Sequence, residues 1–310
     1  MTNEPSAPIV VIGSANQDYL LRVPAVPAPG ETTLAHTMRR SPGGKGANQA
    51  VAAARLGADV RFVGCVGDDD DGALLLRELR AEGVTTTDVE IIGREPTGIA
   101  LVMVDDSGEN SIVVVPGANF ALTAARVQRV LVRQPRDAVV LIQAEVPVAI
   151  VTATSRAARE AGARLVLNLA PYVALEDQAL APCDPLVVNE SEAAALTGRA
   201  ASTPEDALEV ARDLLARCRS VVLTLGAQGA VWASPTGAGH VPAPAVADVV
   251  DTTGAGDAFA GALAVRLASG RSLEDAVELG VRAGSFAVTS EGAQSSYPRR
   301  NDLLETAERR

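Results

Sequence analysis

Short apolar runs alternating with helix-forming stretches constrain this chain more than any other feature of its sequence. The runs at 9–12, 60–63, 139–142, 164–169, 186–188 and 221–225 are rich in Val, Ile and Leu and end in turn or polar residues. Unbroken apolar runs of that kind suit strands buried on both faces of a parallel sheet. Between them, the alanine-rich stretch 46–56 stops at Gly57 and the stretch 71–82 stops at Gly83. Each glycine is placed to end a helix in the left-handed conformation. Thr203-Pro204-Glu205-Asp206 reads as an N-cap, a first-turn proline and first-turn acids, and Ser272 to Asp275 reads as a capping box. This alternation predicts an α/β fold: one α-β-α layered domain over residues 1–310 around a mostly parallel central sheet.

One region breaks the rhythm. Residues 98–104 and 110–115 read as strands joined by the hairpin turn Asp105-Asp106-Ser107-Gly108. The stretch 18–40 is also non-helical, with Pro24, Pro27, Pro29 and Gly30. The two segments, about 18–40 and 97–117, form either a small β-sheet lid or an ordinary edge hairpin.

Composition removes several functions. With 27 basic and 38 acidic residues the net charge is 27 − 38 = −11, which argues against a general nucleic-acid or membrane-surface binder. Aromatics make up only 3 % of the chain, too few for a base-stacking platform. Cys65, Cys183 and Cys218 have neither disulfide nor zinc spacing, so a reducing, cytoplasmic setting is expected. His36 and His240 are the only histidines, little material for a His metal site or a Ser-His-Asp triad. No apolar stretch reaches the roughly 18 residues of a membrane span, and Met1 to Pro8 lacks the pattern of a signal peptide.

The residues that carry chemistry sit at turns. Asp251-Thr252-Thr253-Gly254-Ala255-Gly256-Asp257 leads into a helix-forming stretch. A helix start presents unpaired N–H groups and the positive end of the macrodipole, and glycines let backbone approach a ligand. That combination suits phosphate. Asp257 at its mouth is either a helix cap or a general base for an attacking hydroxyl. The loop lacks the glycine spacing of a dinucleotide fold or a P-loop. Gly43-Gly44-Lys45-Gly46-Ala47-Asn48-Gln49-Ala50 is a second glycine-rich helix start, either a ligand-binding turn or a tight turn with a solvated lysine. Asn16 and Asp18 follow the first strand, where open α/β sheets bind ligands, although an Asx turn explains them equally. Glu145, Asn168, Asn189 and Glu192 lie at or after the carboxyl ends of other strands, and Glu192 is suited to hold Mg²⁺ through water. Asp68 to Asp71 reads as helix-start acid chemistry rather than a calcium loop.

On these strings the chain resembles the ribokinase/PfkB carbohydrate kinase family. The resemblance runs from about Ile9 to Pro298 and includes, between the two glycine signatures, Thr97-Gly98-Ile99-Ala100, Gly108-Glu109-Asn110, Asn189 to Glu192 and Thr224-Leu225-Gly226. It implies phosphoryl transfer from ATP to a sugar hydroxyl, with D-ribose as the expected acceptor. Deoxyribose, fructose or a keto-deoxy sugar acid are the alternatives, the last wanting an arginine such as Arg22, Arg39 or Arg40. A nucleoside is less favoured, since Tyr19 and Phe120 are the only aromatics near the lid; a non-catalytic sugar-binding regulator is the reading from another class. The resemblance makes Asp257 the base and Gly254, Ala255 and Gly256 the anion hole. It gives Asn16, Asp18, Gly44, Lys45, Asn48 and Glu145 to the sugar, and Asn189, Glu192, Thr224, Gly226 and Gly256 to ATP and Mg²⁺. Asp251, Thr253, Gly292 and Ser296 are assigned to a monovalent cation, expected to be K⁺. It further implies a homodimer packed through the lid. Thr253-Gly254 stands where some members carry an apolar residue and alanine.

Overall fold

The computed structural model describes residues 6–303. In chain order it places β1 (Ile9–Ile12), β2 (Asn16–Arg22), β3 (Thr37–Gly43), α1 (Lys45–Arg55), β4 (Val60–Val63), β5 (Cys65–Gly67), α2 (Asp70–Ala81) and β6 (Glu90–Ile92). Next come β7 (Gly98–Val104), β8 (Asn110–Val115), α3 (Ala124–Leu131), β9 (Val139–Gln143), α4 (Val148–Ala161), β10 (Arg164–Asn168), α5 (Asp177–Leu180) and β11 (Cys183–Asn189). The last elements are α6 (Glu190–Thr197), α7 (Pro204–Leu214), β12 (Val221–Thr224), β13 (Ala230–Ser234), β14 (Gly237–Val241), α8 (Ala255–Ala268) and α9 (Leu273–Ala287).

The main sheet has eight strands in the order β14-β13-β12-β11-β10-β9-β1-β4. From β12 to β4 every pairing is parallel. Both faces are covered, which explains the unbroken apolar runs. Ile9 and Val11 of β1 pack into one core with residues of α1, α2, α8 and α9. Val10 and Ile12 point the other way, into a core shared with α3, α4 and α7. The expected caps are in place: Thr203 accepts from Asp206 N–H, and Ser272 and Asp275 form a reciprocal box. Asp69 caps α2 through Gly72 N–H and also accepts from Thr97, in keeping with a helix-start role for the acidic run.

The antiparallel pair β13–β14 at the sheet edge was not expected. These strands are short and carry Ala, Gly, Ser and His in place of a Val, Ile and Leu run, so they lack the apolar signature of the buried strands. The strand expected at 186–188 extends back to Cys183 and forward to Asn189, through Asp184-Pro185.

The segments at 16–43 and 98–115 make a second sheet, ordered β3-β2-β7-β8. It is therefore more than an edge hairpin. β2 leaves the carboxyl end of β1, and β3 returns directly into α1. Tyr19 and Arg40 both bond Asp71 of α2, and Arg39 reaches Glu291 beyond α9 at 2.9 Å.

Candidate active site

The carboxyl ends of neighbouring strands form one rim. Thr224 ends β12, Asn189 ends β11, Asn168 ends β10, Gln143 ends β9, and Ser14 and Asn16 follow β1. Adjacent strands lie about 4.8 Å apart, so these polar groups line a continuous edge beneath the second sheet. The amino-terminal turns of α1 and α8 meet at the same edge.

Asp257 lies in the first turn of α8 and is buried. Asn48 Nδ2 donates to its Oδ2 at 3.0 Å, and Gln49 Nε2 donates to its Oδ1 at 2.9 Å. Those amides are held in turn. Gln143 Nε2 donates to Gln49 Oε1 at 2.6 Å, Gln49 also donates to Asn168, and Gln294 donates to Asn48 Oδ1 at 3.0 Å. The carboxylate is thus fixed by a buried relay of amides drawn from α1, β9, β10 and the segment after α9.

Close backbone approach makes this possible. A Cβ on Gly46 would fall 2.7 Å from the Gly13 carbonyl carbon, and one on Gly44 (φ 84°) would fall 2.8 Å from Asn16 N. Glu145 Oε2 accepts from Ser14 Oγ at 2.6 Å and from Lys45 N–H at 2.9 Å. Asn119 accepts from Ala15 N–H and donates to Asn16 Oδ1.

Asp18 stands over Gly43, where a side chain would overlap its carboxylate. Its buried Oδ1 has no hydrogen-bond partner. Burial, then the charges of Glu145 and Asp257, push its pKa up to about 7. The Asp257 carboxylate holds the Lys45 ammonium above its usual range against the opposing effect of burial, with further help from Glu145 and Glu192. Asp18, Glu145, Asp257, Lys45 and Glu192 therefore act on one another through one crevice.

Asn189 and Glu192 form a reciprocal capping box at the start of α6. Burial pushes Glu192 up, partly offset by the Asn189 N–H and by Lys45. Gly226 (φ 52°) opens the turn after β12. The turn closes at Gly229, which packs on the backbone of Val241 and Ala243. From there the chain runs to Val250 and Asp251, whose N–H groups both point to Val288 O. Between these anchors lies a cavity of about 570 Å³, lined by Val241, Val246, Val281, Arg282 and Phe286 among others. Sequence reasoning missed this wall: 242–250 carries no motif, and the α9 residues read as core.

Asp251 Oδ1 accepts from Thr253 N–H at 2.9 Å and Oδ2 from Gly292 N–H at 2.8 Å. Burial pushes this carboxyl up, but the hydrogen bonds from Thr253 and Gly292 outweigh it and hold it below its usual value. Ser296 is buried nearby in sequence and donates to Ala293 O. Among the described residues no group of three or more His, Cys, Asp or Glu is arranged to hold a metal ion, no helix is long and apolar enough to cross a membrane, and all three cysteines are free and buried.

A fold of this topology, with a glycine-led helix turn presenting a buried carboxylate, defines a class. The model of the pfkB family carbohydrate kinases matches residues 6–300, and the chain belongs to that family. Within it, the chain is 37 % identical to the ribokinase of Haemophilus influenzae, over 97 % of this chain and 98 % of the relative. It is 36 % identical to the deoxyribokinase of Salmonella typhi, over 94 % and 95 %. The structure of Arabidopsis thaliana ribokinase complexed with ribose and ATP superposes with a TM-score of 0.88 at 33 % identity, covering 97 % of this chain and 98 % of that one.

Proposed function

We propose that the chain transfers the γ-phosphoryl group of ATP to the primary hydroxyl of D-ribose, giving D-ribose 5-phosphate and ADP. The observation that carries this is the Asp257 carboxylate, clamped by Asn48 and Gln49 at the amino end of α8. Asp257 takes the hydroxyl proton as the oxygen attacks phosphorus and the bond to the ADP oxygen breaks. The turn at 254–256 brings the N–H groups of Gly256 and Asp257, unpaired among the described residues, to the charge on the moving group, while the expected Ala255 donor is taken by Thr252 O. Such donors are where these reactions draw most of their rate.

Asp18, with an unsatisfied buried oxygen, suits vicinal sugar hydroxyls, joined by Asn16, Gly44, Asn48 and Glu145. Lys45 links the two halves of the crevice. Thr224 and Gly226 receive the nucleotide phosphates, and the cavity between residues 241–247 and α9 takes the base. One oxygen of Glu192 accepts from Asn189 N–H, leaving the other to hold Mg²⁺ through water, where the ion would neutralise phosphate charge. Asp251, the carbonyls of Thr253 and Gly292 and the hydroxyl of Ser296 offer the all-oxygen set that a monovalent cation such as K⁺ requires. The second sheet serves as a lid over the single catalytic domain, and the setting is cytoplasmic.

Ribose is preferred to a sugar acid because two of the three candidate lid arginines are engaged. Arg39 pairs with Glu291, and Arg40 pairs with Asp71. Deoxyribose is the second reading, favoured by the deoxyribokinase relatives. An ADP-release assay with ribose, deoxyribose, fructose, adenosine and a keto-deoxy sugar acid tests the choice. Ribose should give the highest kcat/KM, and a higher value with any other acceptor would replace it.

A further inference from the structure

Tyr297 is 3 % exposed, and its hydroxyl is buried without a hydrogen-bond partner. That hydroxyl lies against the residue that opens α8: a Cβ on Gly254 (φ 78°) would fall 2.6 Å from it. The tyrosine is firmly seated. Arg55 donates to the carbonyls of Gln294 and Tyr297, and Gln294 in turn holds Asn48. At the same helix start, the N–H groups of Gly256 and Asp257 find no acceptor among the described residues, whereas Ala255 N–H bonds Thr252 O and Ala258 N–H bonds Gly254 O. A buried hydroxyl left unpaired costs stability, and this one lies against the glycine that precedes the two unpaired backbone donors.

We infer that the Tyr297 hydroxyl is a further donor to the phosphoryl group bound at the start of α8, and that position 254 is glycine to let it reach. This inference rests on the kinase reading above. The hydroxyl remains protonated at neutral pH, because burial first, and the Asp257 and Asp18 carboxylates after it, push its pKa well above the usual value. It therefore donates and does not compete with Asp257 as a base. It does not replace the backbone donors; it adds a side-chain donor that is satisfied only when the anion is present.

The test is Tyr297→Phe, which removes one oxygen and keeps the ring. The melting temperature of the free protein should stay level or rise, because an unsatisfied polar atom is lost. With ribose and ATP, kcat should fall about 10-fold with both KM values within about twofold, the signature of an interaction made in the transition state. Calorimetric binding of ADP with magnesium and aluminium fluoride, without sugar, should weaken by a similar factor. A kcat and an aluminium-fluoride affinity both within twofold of the unaltered protein would overturn the inference. If the unaltered protein turns over no sugar, the kinase reading fails instead, and the aluminium-fluoride comparison still decides the role of Tyr297.

Discussion

Each carboxylate in the crevice has a different partner set, and that difference separates their roles. Asp257 is satisfied by two amide donors, so Asp257→Asn would turn an amide N–H toward Asn48 or Gln49 while preserving shape. Its kcat should fall at least about 100-fold, with ATP and ribose binding by calorimetry nearly unchanged; near-normal turnover would remove the base assignment. Asp18 is the opposite case, with one oxygen unsatisfied and a pKa of about 7 against the usual 3.8. A carboxyl raised on folding favours its neutral form, so ionisation destabilises the fold. The penalty is absent below about pH 4, grows through the interval up to about 7 and is constant above it. Asp18→Asn should therefore raise the melting temperature, more at about pH 8 than at about pH 5, while kcat/KM for ribose falls about 100-fold through loss of charge-assisted bonds. A melting temperature unchanged at both pH values would show that the site is not strained by this charge.

At the scale of elements, the clamp on Asp257 depends on how closely α1 and α8 approach. Gly261 of α8 sits where a Cβ would fall 2.7 Å from Ala52 Cβ and 2.8 Å from Gln49 O. Gly261→Ala should cost about 1–3 kcal/mol by overpacking and lower kcat as well, since it displaces the helix that carries Asn48 and Gln49. Thermal melts and steady-state rates on the same preparation check both effects; full activity would mean the helices can part without moving the clamp. The same contact shows what the sequence could and could not reveal. The two glycine-rich helix starts were legible because their chemistry is local: glycine, amide and acid within one turn. The relay through Gln49, Gln143 and Gln294 was not, because those residues meet across long stretches of chain and each alone reads as an ordinary polar residue. Gln143 closes an apolar run and looked like its polar boundary. β14 escaped because an edge strand needs no continuous apolar face, and β13 because its five residues include two alanines and a serine rather than a Val, Ile and Leu run.

At the scale of the whole molecule, the second sheet carries exposed apolar side chains. Ile112, Val113, Val114 and Val115 of β8 are between 42 % and 57 % exposed, and Met38 of β3 is 60 % exposed. Such a patch on an edge strand calls for a cover. We propose a second copy packed lid to lid as that cover, in which case light scattering at micromolar concentration should give twice the chain mass. Val113→Lys should return it to a monomer; a monomeric mass for the unaltered protein would leave the patch without that partner.

The relay joins Asn48 near the beginning of the chain to Gln294 near its end, and β1 lies inside the main sheet between β9 and β4. During synthesis the first strand can pair with β4 early but must wait for β9 before both its edges are covered. The clamp on Asp257 is therefore complete only once residues from both halves of the chain have met, and a chain shortened before Gln294 would lack the amide that holds Asn48.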